Sequence, residues 1–250
     1  MTRTVLSYLG LSLLLLAPYP LSAEEALSKI RRVNLPPSVE LSYAVKVSMS
    51  GLQLSGEAHL QWQAAHEKYQ ITTDTRSPLF GKILESSSQG SLSEQGLVPL
   101  RFNEKRVRRD ATSTSFDRLT NTIRFNTSSQ TYPITGGEQD RSSILWQLIA
   151  LIRAEPRLFV EGSDWTFFVA GQRDAQPWTF RVGAPETIRS PFGDLATVRI
   201  RKLPPPDQQG QQIDIWLAPA LEWYPVRLRT TEADGDAFEQ TLISMTKKAS

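Results

Sequence analysis

The residues best suited to bind a charged ligand are arginines that alternate with apolar residues along predicted strands. A strand points successive side chains to opposite faces, so the guanidinium groups share one face and the apolar side chains share the other. Guanidinium groups bind phosphate in a bidentate manner, which makes this face a candidate contact for phospholipid head groups or a phosphorylated glycan. The alternative is a solvated outer face balanced by acidic neighbours. The candidate anion contacts are Arg199, Arg201, Arg227 and Arg229.

A second group of basic residues lies on one predicted strand and the loop that follows it. The same two alternatives, an anion site or a solvated surface, apply to this group. Its members are Arg101, Lys105, Arg106, Arg108 and Arg109.

Large aromatic side chains on the apolar face are candidates for the lining of a ligand cavity. A curved sheet either fills its concave side with side chains or leaves room for an apolar ligand. Packing in the core is therefore the alternative for each of them. The apolar segment at residues 77–84 is either a lid over such a cavity or a plain connection. The candidate ligand-binding residues are Trp62, Phe80, Trp146, Trp178 and Trp216.

Residues with catalytic or metal-binding chemistry are scarce. The chain has no cysteine and only two histidines, which excludes disulfides, thiolate catalysis and iron–sulfur clusters. His59 and His66 have no partner at metal-ligand or catalytic spacing. No nucleotide-binding, calcium or serine-hydrolase motif is present. We therefore predict no catalytic residue, no metal site and no cofactor.

Composition indicates an ordinary globular protein. Of the 250 residues, 40% are hydrophobic and 22% are charged, and the formal net charge is +2. With these values the chain is too apolar to be disordered and too little charged to be a nucleic-acid-binding protein. They leave oligomeric state open.

The first residues are typical of a secretory signal peptide. Arg3 precedes an apolar run at residues 5–17, and prolines follow it. The run is too short for a comfortable membrane span, and an uncleaved anchor is the alternative. We predict cleavage after Ala23, a lead segment at residues 24–38 and export to a bacterial periplasm. No later run is long enough to span a membrane, so we expect a soluble or peripheral mature chain.

The remaining chain has the pattern of one β-rich domain at residues 39–246. Apolar residues alternate from Val39, resume after a turn at Gly51, and recur in short segments to the end of the domain. Residues 140–153 instead have helical spacing, with Asp140 as a candidate N-cap. The predicted fold is mainly β: a single curved antiparallel sheet of roughly a dozen strands, open or closed to a half-barrel, with one core helix.

Several motifs resemble the exported bacterial proteins known as domain of unknown function 3108. The segment at residues 140–148, DRSSILWQL, is similar to the D-x-x-S-x-L-x-Q-L helix of that family. The other matching segments are residues 56–58 (GEA), 99–102 (PLRF), 216–219 (WLAP) and 223–227 (WYPVR). The resemblance runs from Val39 to Met245. It implies no activity and no functional residues. The general appearance is similar to periplasmic half-barrels that carry or sense lipids and lipoproteins.

Three functions are consistent with these features. The first is a non-catalytic envelope module that binds an apolar or amphipathic ligand, such as a lipid or lipoprotein-like molecule, in a half-barrel. The second is an interaction or scaffold module that docks another envelope protein through an exposed edge strand. The third is an enzyme acting on an envelope polymer, for which no acid–base or nucleophile arrangement is visible.

Overall fold

A computed structural model describes residues 32–49, 51–204 and 210–248, and most of these residues belong to one sheet of fifteen strands. The strands are β1 (Val39–Met49), β2 (Leu52–Ala65), β3 (Lys68–Ser77), β4 (Gly81–Ser93), β5 (Gly96–Arg106), β6 (Thr112–Asp117), β7 (Thr122–Phe125), β8 (Thr131–Pro133), β9 (Gln139–Asp140), β10 (Asp164–Ala170), β11 (Ala175–Ser190), β12 (Gly193–Lys202), β13 (Gln212–Ala218), β14 (Tyr224–Thr231) and β15 (Ala237–Lys247). The single α-helix, α1, is Ser143–Ala154. Within these residues, no helix is long and apolar enough to cross a membrane.

The sheet is two meanders joined in the middle. In the first meander, β1 to β8, each strand pairs with the next one along the chain, and the same holds for the second meander, β10 to β15. The two meanders are joined where β1 pairs with β15. All pairs are antiparallel except β9 with β10. The predicted open, curved antiparallel sheet with one helix is confirmed, although it has fifteen strands rather than about a dozen. The two edges of the open sheet also contact each other. The hydroxyl of Thr114 on β6 donates to the carbonyl oxygen of Gly171, just after β10, at 2.7 Å.

Strand β4 occupies the segment for which the sequence left a lid or a plain connection open. Residues 78–80 form a tight turn between β3 and β4, so the segment at residues 77–84 is a hairpin. The sequence pattern missed β4 because its inward positions are Ser86, Ser88 and Gly90, which give no apolar alternation. Ser86 lines a free space on the inner face of the sheet, the face against which α1 packs, whereas Ser88 and Gly90 are in contact with Tyr69.

Helix α1 forms the core of the inner face. Its residues from Ser143 to Ile152 are all buried, as expected for a helix packed across a concave sheet. Trp146 stacks on Trp62 with ring centroids 4.6 Å apart. The predicted N-cap, Asp140, ends β9 instead of directly preceding the helix, yet its Oδ1 accepts the N–H groups of Ser142 and Ser143 at 2.8 Å each. The carboxylate thus satisfies donors of the first turn.

Gln147 attaches α1 to the β4–β5 hairpin. Its Oε1 accepts the Leu97 N–H at 2.8 Å, and its Nε2 donates to the Gln95 carbonyl oxygen at 2.9 Å. Gly96, between them, has φ +117°, and a Cβ there would collide with the Gln147 amide. The glutamine of the helical motif therefore positions the helix against the meander.

Candidate functional site

Helix α1 covers only part of the inner face, and a cavity of about 450 Å³ lies beside its first turn. Both meanders contribute to its walls, which are mainly apolar. Leu60 and Ile71 line it from one meander, and Phe180, Ile215, Leu228 and Phe238 line it from the other. We call this space the inner cavity.

The inner cavity opens at one end of the sheet, which we call the mouth end. In an antiparallel meander, alternate turns lie at the same end of the sheet. The β1–β2, β3–β4, β5–β6 and β14–β15 turns therefore share one end. Residues beside these turns line the cavity, among them Ile83, Arg106, Glu232 and Phe238.

A buried lysine adjoins the wall of the inner cavity without lining it. Lys202 pairs with Phe180 and Ile213 on neighbouring strands, and both of those residues line the cavity. Only 6% of Lys202 is exposed. Its ammonium group lies 4.7 Å from the centroid of the Trp178 ring and 3.3 Å from the Gln211 carbonyl oxygen. Burial lowers the pKa of Lys202.

A second cation is held beside the same tryptophan. The Arg141 guanidinium carbon lies 5.9 Å from the Trp178 ring centroid, and its charge further lowers the pKa of Lys202. Among the described residues, neither cation forms an ion pair with a carboxylate. The charge of Glu232 raises the pKa of Lys202, but the Glu232 carboxylate accepts a hydrogen bond from Gln211 and not from Lys202. The two cations can therefore receive an anionic group from a ligand.

Another cation at the mouth is already neutralised within the chain. Arg106 lies 2.5 Å from the carboxylate of Glu104, which also accepts a hydrogen bond from Gln172. This pair contributes polarity to the cavity wall without leaving a free charge.

Asp140 is the most deeply buried carboxylate near the cavity. It is fully buried, and its Oδ2 accepts a hydrogen bond from the Ser88 hydroxyl at 2.5 Å. Burial raises the pKa of Asp140 to about 6, although hydrogen bonds from Ser88, Ser142 and Ser143 oppose that shift. Its role is to hold the start of α1, which forms one cavity wall.

Replacing Asp140 with asparagine is expected to change how stability depends on pH. A carboxyl whose pKa rises from about 3.9 in the unfolded chain to about 6 in the fold binds its proton more tightly when folded. The free energy of unfolding should therefore fall by about 3 kcal/mol as pH rises through this range. Asp140→Asn should remove that decrease, as measured by urea unfolding near pH 3 and pH 7. The exposed Asp174→Asn is the control, and an unchanged slope in Asp140→Asn would contradict the assignment.

The structure separates the five aromatic residues that the sequence grouped together. Trp178 lines the inner cavity. Trp146 of α1 and Trp62 of β2 are fully buried against each other, and Phe80 is 54% exposed in the β3–β4 turn. Trp216 lies on the outer face, where its Nε1 donates to Glu186 at 2.7 Å. Trp216 directly follows Ile215, which lines the inner cavity, so its side chain points to the opposite face of the sheet.

The four candidate arginines share the outer face and are mixed there with acidic and aromatic residues. Arg201 bonds Asp214 at 2.8 Å, and Arg199 lies 3.6 Å from Glu186. The remaining two also have neighbours of this kind: the Arg227 guanidinium lies 5.7 Å from the Trp216 ring centroid, and Arg229 pairs in register with Asp214 and Glu239. This pairing favours a solvated outer face over an anion site.

One outward row has the residue types of a serine hydrolase, which the sequence did not indicate. Ser42, His59 and Asp74 occupy facing positions on β1, β2 and β3, beside an outer-surface depression of about 690 Å³. The Ser42 hydroxyl lies 3.1 Å from His59 Nδ1. The Asp74 carboxylate, however, is bound by Arg76 and Lys82 at 2.6 and 2.8 Å. Without a bond from Asp74 to the imidazole, the row lacks the connection that activates a triad.

Comparison with known proteins identifies one family. The family described as protein of unknown function (DUF3108) matches residues 41–243. No functionally curated protein matches the chain.

Several solved structures overlap most of the chain at low sequence identity. A domain described as an outer membrane lipoprotein-sorting protein, from Vibrio parahaemolyticus, is 9% identical with a TM-score of 0.39, covering 91% of this chain and 94% of that one. A DUF1329 family protein from Desulfovibrio piger is 7% identical with a TM-score of 0.34, covering 91% and 92%. A LolA superfamily protein from Nitrosomonas europaea is 10% identical with a TM-score of 0.33, covering 92% and 95%. These are loose likenesses.

Proposed function

The chain belongs to the DUF3108 family, and we propose that it is a non-catalytic module of the cell envelope that binds an amphipathic molecule in the inner cavity. The observation that carries this proposal is an apolar cavity with two unpaired cations beside Trp178 in its wall. The apolar walls suit an acyl chain, and the cations suit an anionic head group.

The size of the inner cavity supports a small ligand. A volume of about 450 Å³ falls within the range of about 300–1,000 Å³ that is typical of small-molecule sites. The open mouth end allows a longer chain to extend beyond the walls.

The cations favour a carboxylate or phosphate on that ligand. A buried ammonium group without an anionic partner is unfavourable, and a ligand anion would supply the missing charge. Arg141 lines the cavity and Lys202 lies next to the Trp178 ring in its wall, so the proposed head group binds at Trp178, with Arg141 at the cavity surface and Lys202 beside the ring. The acyl chain would then lie against Ile215 and Leu228.

Lys202→Met is expected to separate the head-group contact from the apolar contact. Binding of a fluorescent fatty acid should weaken about tenfold, the loss of one charge-assisted hydrogen bond, whereas binding of the matching fatty alcohol should change little. Fluorescence titration measures both affinities. Lys46→Met, on the outer face, is the control and should bind like the unaltered chain.

The head-group assignment fails if Lys202→Met binds both probes as tightly as the unaltered protein. The cavity proposal fails if the unaltered protein binds neither probe. These two outcomes are distinct because the second needs no substitution.

The location of the protein is part of the same proposal. The signal peptide, the cut after Ala23 and the lead segment at residues 24–38 fall largely outside the described residues. The single domain predicted at residues 39–246 coincides closely with the family match. Intact mass of protein recovered from the periplasm should correspond to a chain that begins at Glu24, and a mass including residues 1–23 would overturn the cleavage.

The interaction-module alternative has less support from the sheet edges. An edge strand recruits a partner by offering a row of free N–H and C=O groups. The edge strands here are β8, with three residues, and β9, with two residues. These two strands offer few backbone hydrogen bonds to a docking strand, and the longer open edge is the part of β10 before Val169, which β9 does not cover.

The enzyme alternative also has little support within the described residues. No group of three or more potential metal ligands is present there. In the row formed by Ser42, His59 and Asp74, the Asp74 carboxylate binds Arg76 and Lys82 and not the His59 imidazole.

A further inference from the structure

Exposed apolar side chains gather on three turns at the mouth end. Leu52 beside the β1–β2 turn is 62% exposed, and Leu79 and Phe80 in the β3–β4 turn are 73% and 54% exposed. Met49 and Val107 are also among the exposed large apolar residues. Scattered single residues of this kind are ordinary, but these five share one end of one meander. We call them the apolar rim.

Basic residues adjoin the apolar rim. Lys105, Arg108 and Arg109 surround Val107 and are exposed. Within the described residues, none of these three cations forms an ion pair. The Val107 N–H donates to the Ile83 carbonyl oxygen at 2.9 Å, which holds the basic turn against the β3–β4 hairpin. Glu85 faces Lys105 across the β4–β5 pair and Asp110 follows Arg109, so the rim combines apolar tips with an excess of positive charge.

We propose that the apolar rim and its three adjoining cations form a docking surface for an anionic lipid bilayer. Apolar side chains that enter the head-group region and basic residues that meet anionic lipids are the two contributions that hold peripheral proteins on membranes. The positive charge selects an anionic bilayer over a neutral one. This surface goes beyond the ligand proposal, because docking requires no occupant in the inner cavity.

Charge on the other meander determines which side of the mouth end meets the bilayer. The β14–β15 turn carries Glu232, Asp234 and Asp236 at the same end of the sheet. An anionic surface repels this acidic turn while it attracts the basic one. The molecule therefore docks tilted, with β1 to β6 toward the bilayer and the cavity mouth beside it. An amphipathic ligand could then pass between bilayer and cavity over a short distance.

Two double variants test the docking surface. Leu79→Ser with Phe80→Ser removes apolar tips, and Lys105→Gln with Arg109→Gln removes charge. The control is Leu119→Ser with Phe192→Ser, since these exposed apolar residues lie on turns at the opposite end of the sheet. Binding is measured by co-sedimentation with vesicles of phosphatidylglycerol and phosphatidylethanolamine, and with vesicles of phosphatidylcholine alone.

The unaltered protein is expected to bind the anionic vesicles and to bind phosphatidylcholine more weakly. Each rim variant should bind the anionic vesicles at least about thirtyfold more weakly, because it loses two residues that contribute about 1 kcal/mol or more each. Added salt should weaken the binding of the apolar variant, which keeps its cations, more than that of the charge variant. The opposite-end control should bind normally.

The docking surface is overturned if the unaltered protein does not bind anionic vesicles, or if the rim variants and the opposite-end control behave alike. Fluorescent fatty-acid binding in solution, without vesicles, keeps this result separate from the ligand proposal. The rim variants should bind the fluorescent fatty acid with unchanged affinity. A protein that binds vesicles normally but does not bind the fatty acid would contradict the cavity proposal and leave the docking surface standing.

Discussion

Filling the inner cavity with two phenyl rings is expected to eliminate most ligand binding. Ser86 and Thr230 both line the cavity, on β4 and β14 respectively, and face it from opposite meanders. Ser86→Phe with Thr230→Phe should displace about four methylene groups of an acyl chain. At about 0.8 kcal/mol for each buried methylene, the loss is about 3 kcal/mol, or roughly a hundredfold in affinity.

Fluorescence titration with a fatty-acid probe measures this effect, and the chain offers a closely matched control. Ser87 and Thr231 are the next residues along the same strands and face outward. Ser87→Phe with Thr231→Phe should bind the probe normally. The urea midpoint of each variant separates a filled cavity from a damaged fold. Equal affinity in the two variants, with both folded, would contradict a binding site on the inner face.

Trp146→Ala is expected to cause the largest loss of stability among these changes, about 3–5 kcal/mol. The side chain is fully buried, stacks on Trp62 and packs edge-on against Tyr224 at a centroid distance of 6.3 Å. Its removal would leave an empty space where α1 meets the middle of the sheet. The free energy of unfolding from urea titration measures the loss.

A pair of further variants shows whether packing explains that loss. Within the described residues the Trp146 indole N–H has no hydrogen-bond partner, so Trp146→Phe removes an unsatisfied donor while it keeps a ring in the stack. We expect Trp146→Phe to cost less than about half as much as Trp146→Ala. Phe80→Ala, at a 54% exposed position, should change stability by less than about 0.5 kcal/mol. Equal losses in Trp146→Phe and Trp146→Ala would contradict this account.

The fold was predictable wherever one face of a strand is continuously apolar. Strands β1 and β2 follow the alternation around Gly51, and α1 follows the helical spacing of its buried residues. The pattern failed where inward residues are small, as in β4, or where a bulge interrupts the alternation. The register shift between Val182 and Pro185, for example, hid the second half of β11, which continues to Ser190.

The candidate site was less predictable because it depends on contacts between distant strands. Trp178 lines the inner cavity, whereas Trp62 on β2 faces the same side of the sheet and is covered by Trp146 of α1. The sequence pattern did not lead us to Lys202, although its position on β12 indicates an inward-facing charge. It continues the inward alternation of Val198 and Ile200, and a charged residue at such a position indicates a buried functional or paired group.

Native mass spectrometry tests the central claim most directly. The protein would be purified without detergent, incubated with a lipid extract from its own envelope and compared with the variant Ser86→Phe with Thr230→Phe. We expect the unaltered protein to carry extra mass in the range of a lipid with an anionic head group, to release it on denaturation, and the filled variant to carry none. An unaltered protein that has the bare mass of its chain after this incubation would contradict ligand binding in the inner cavity.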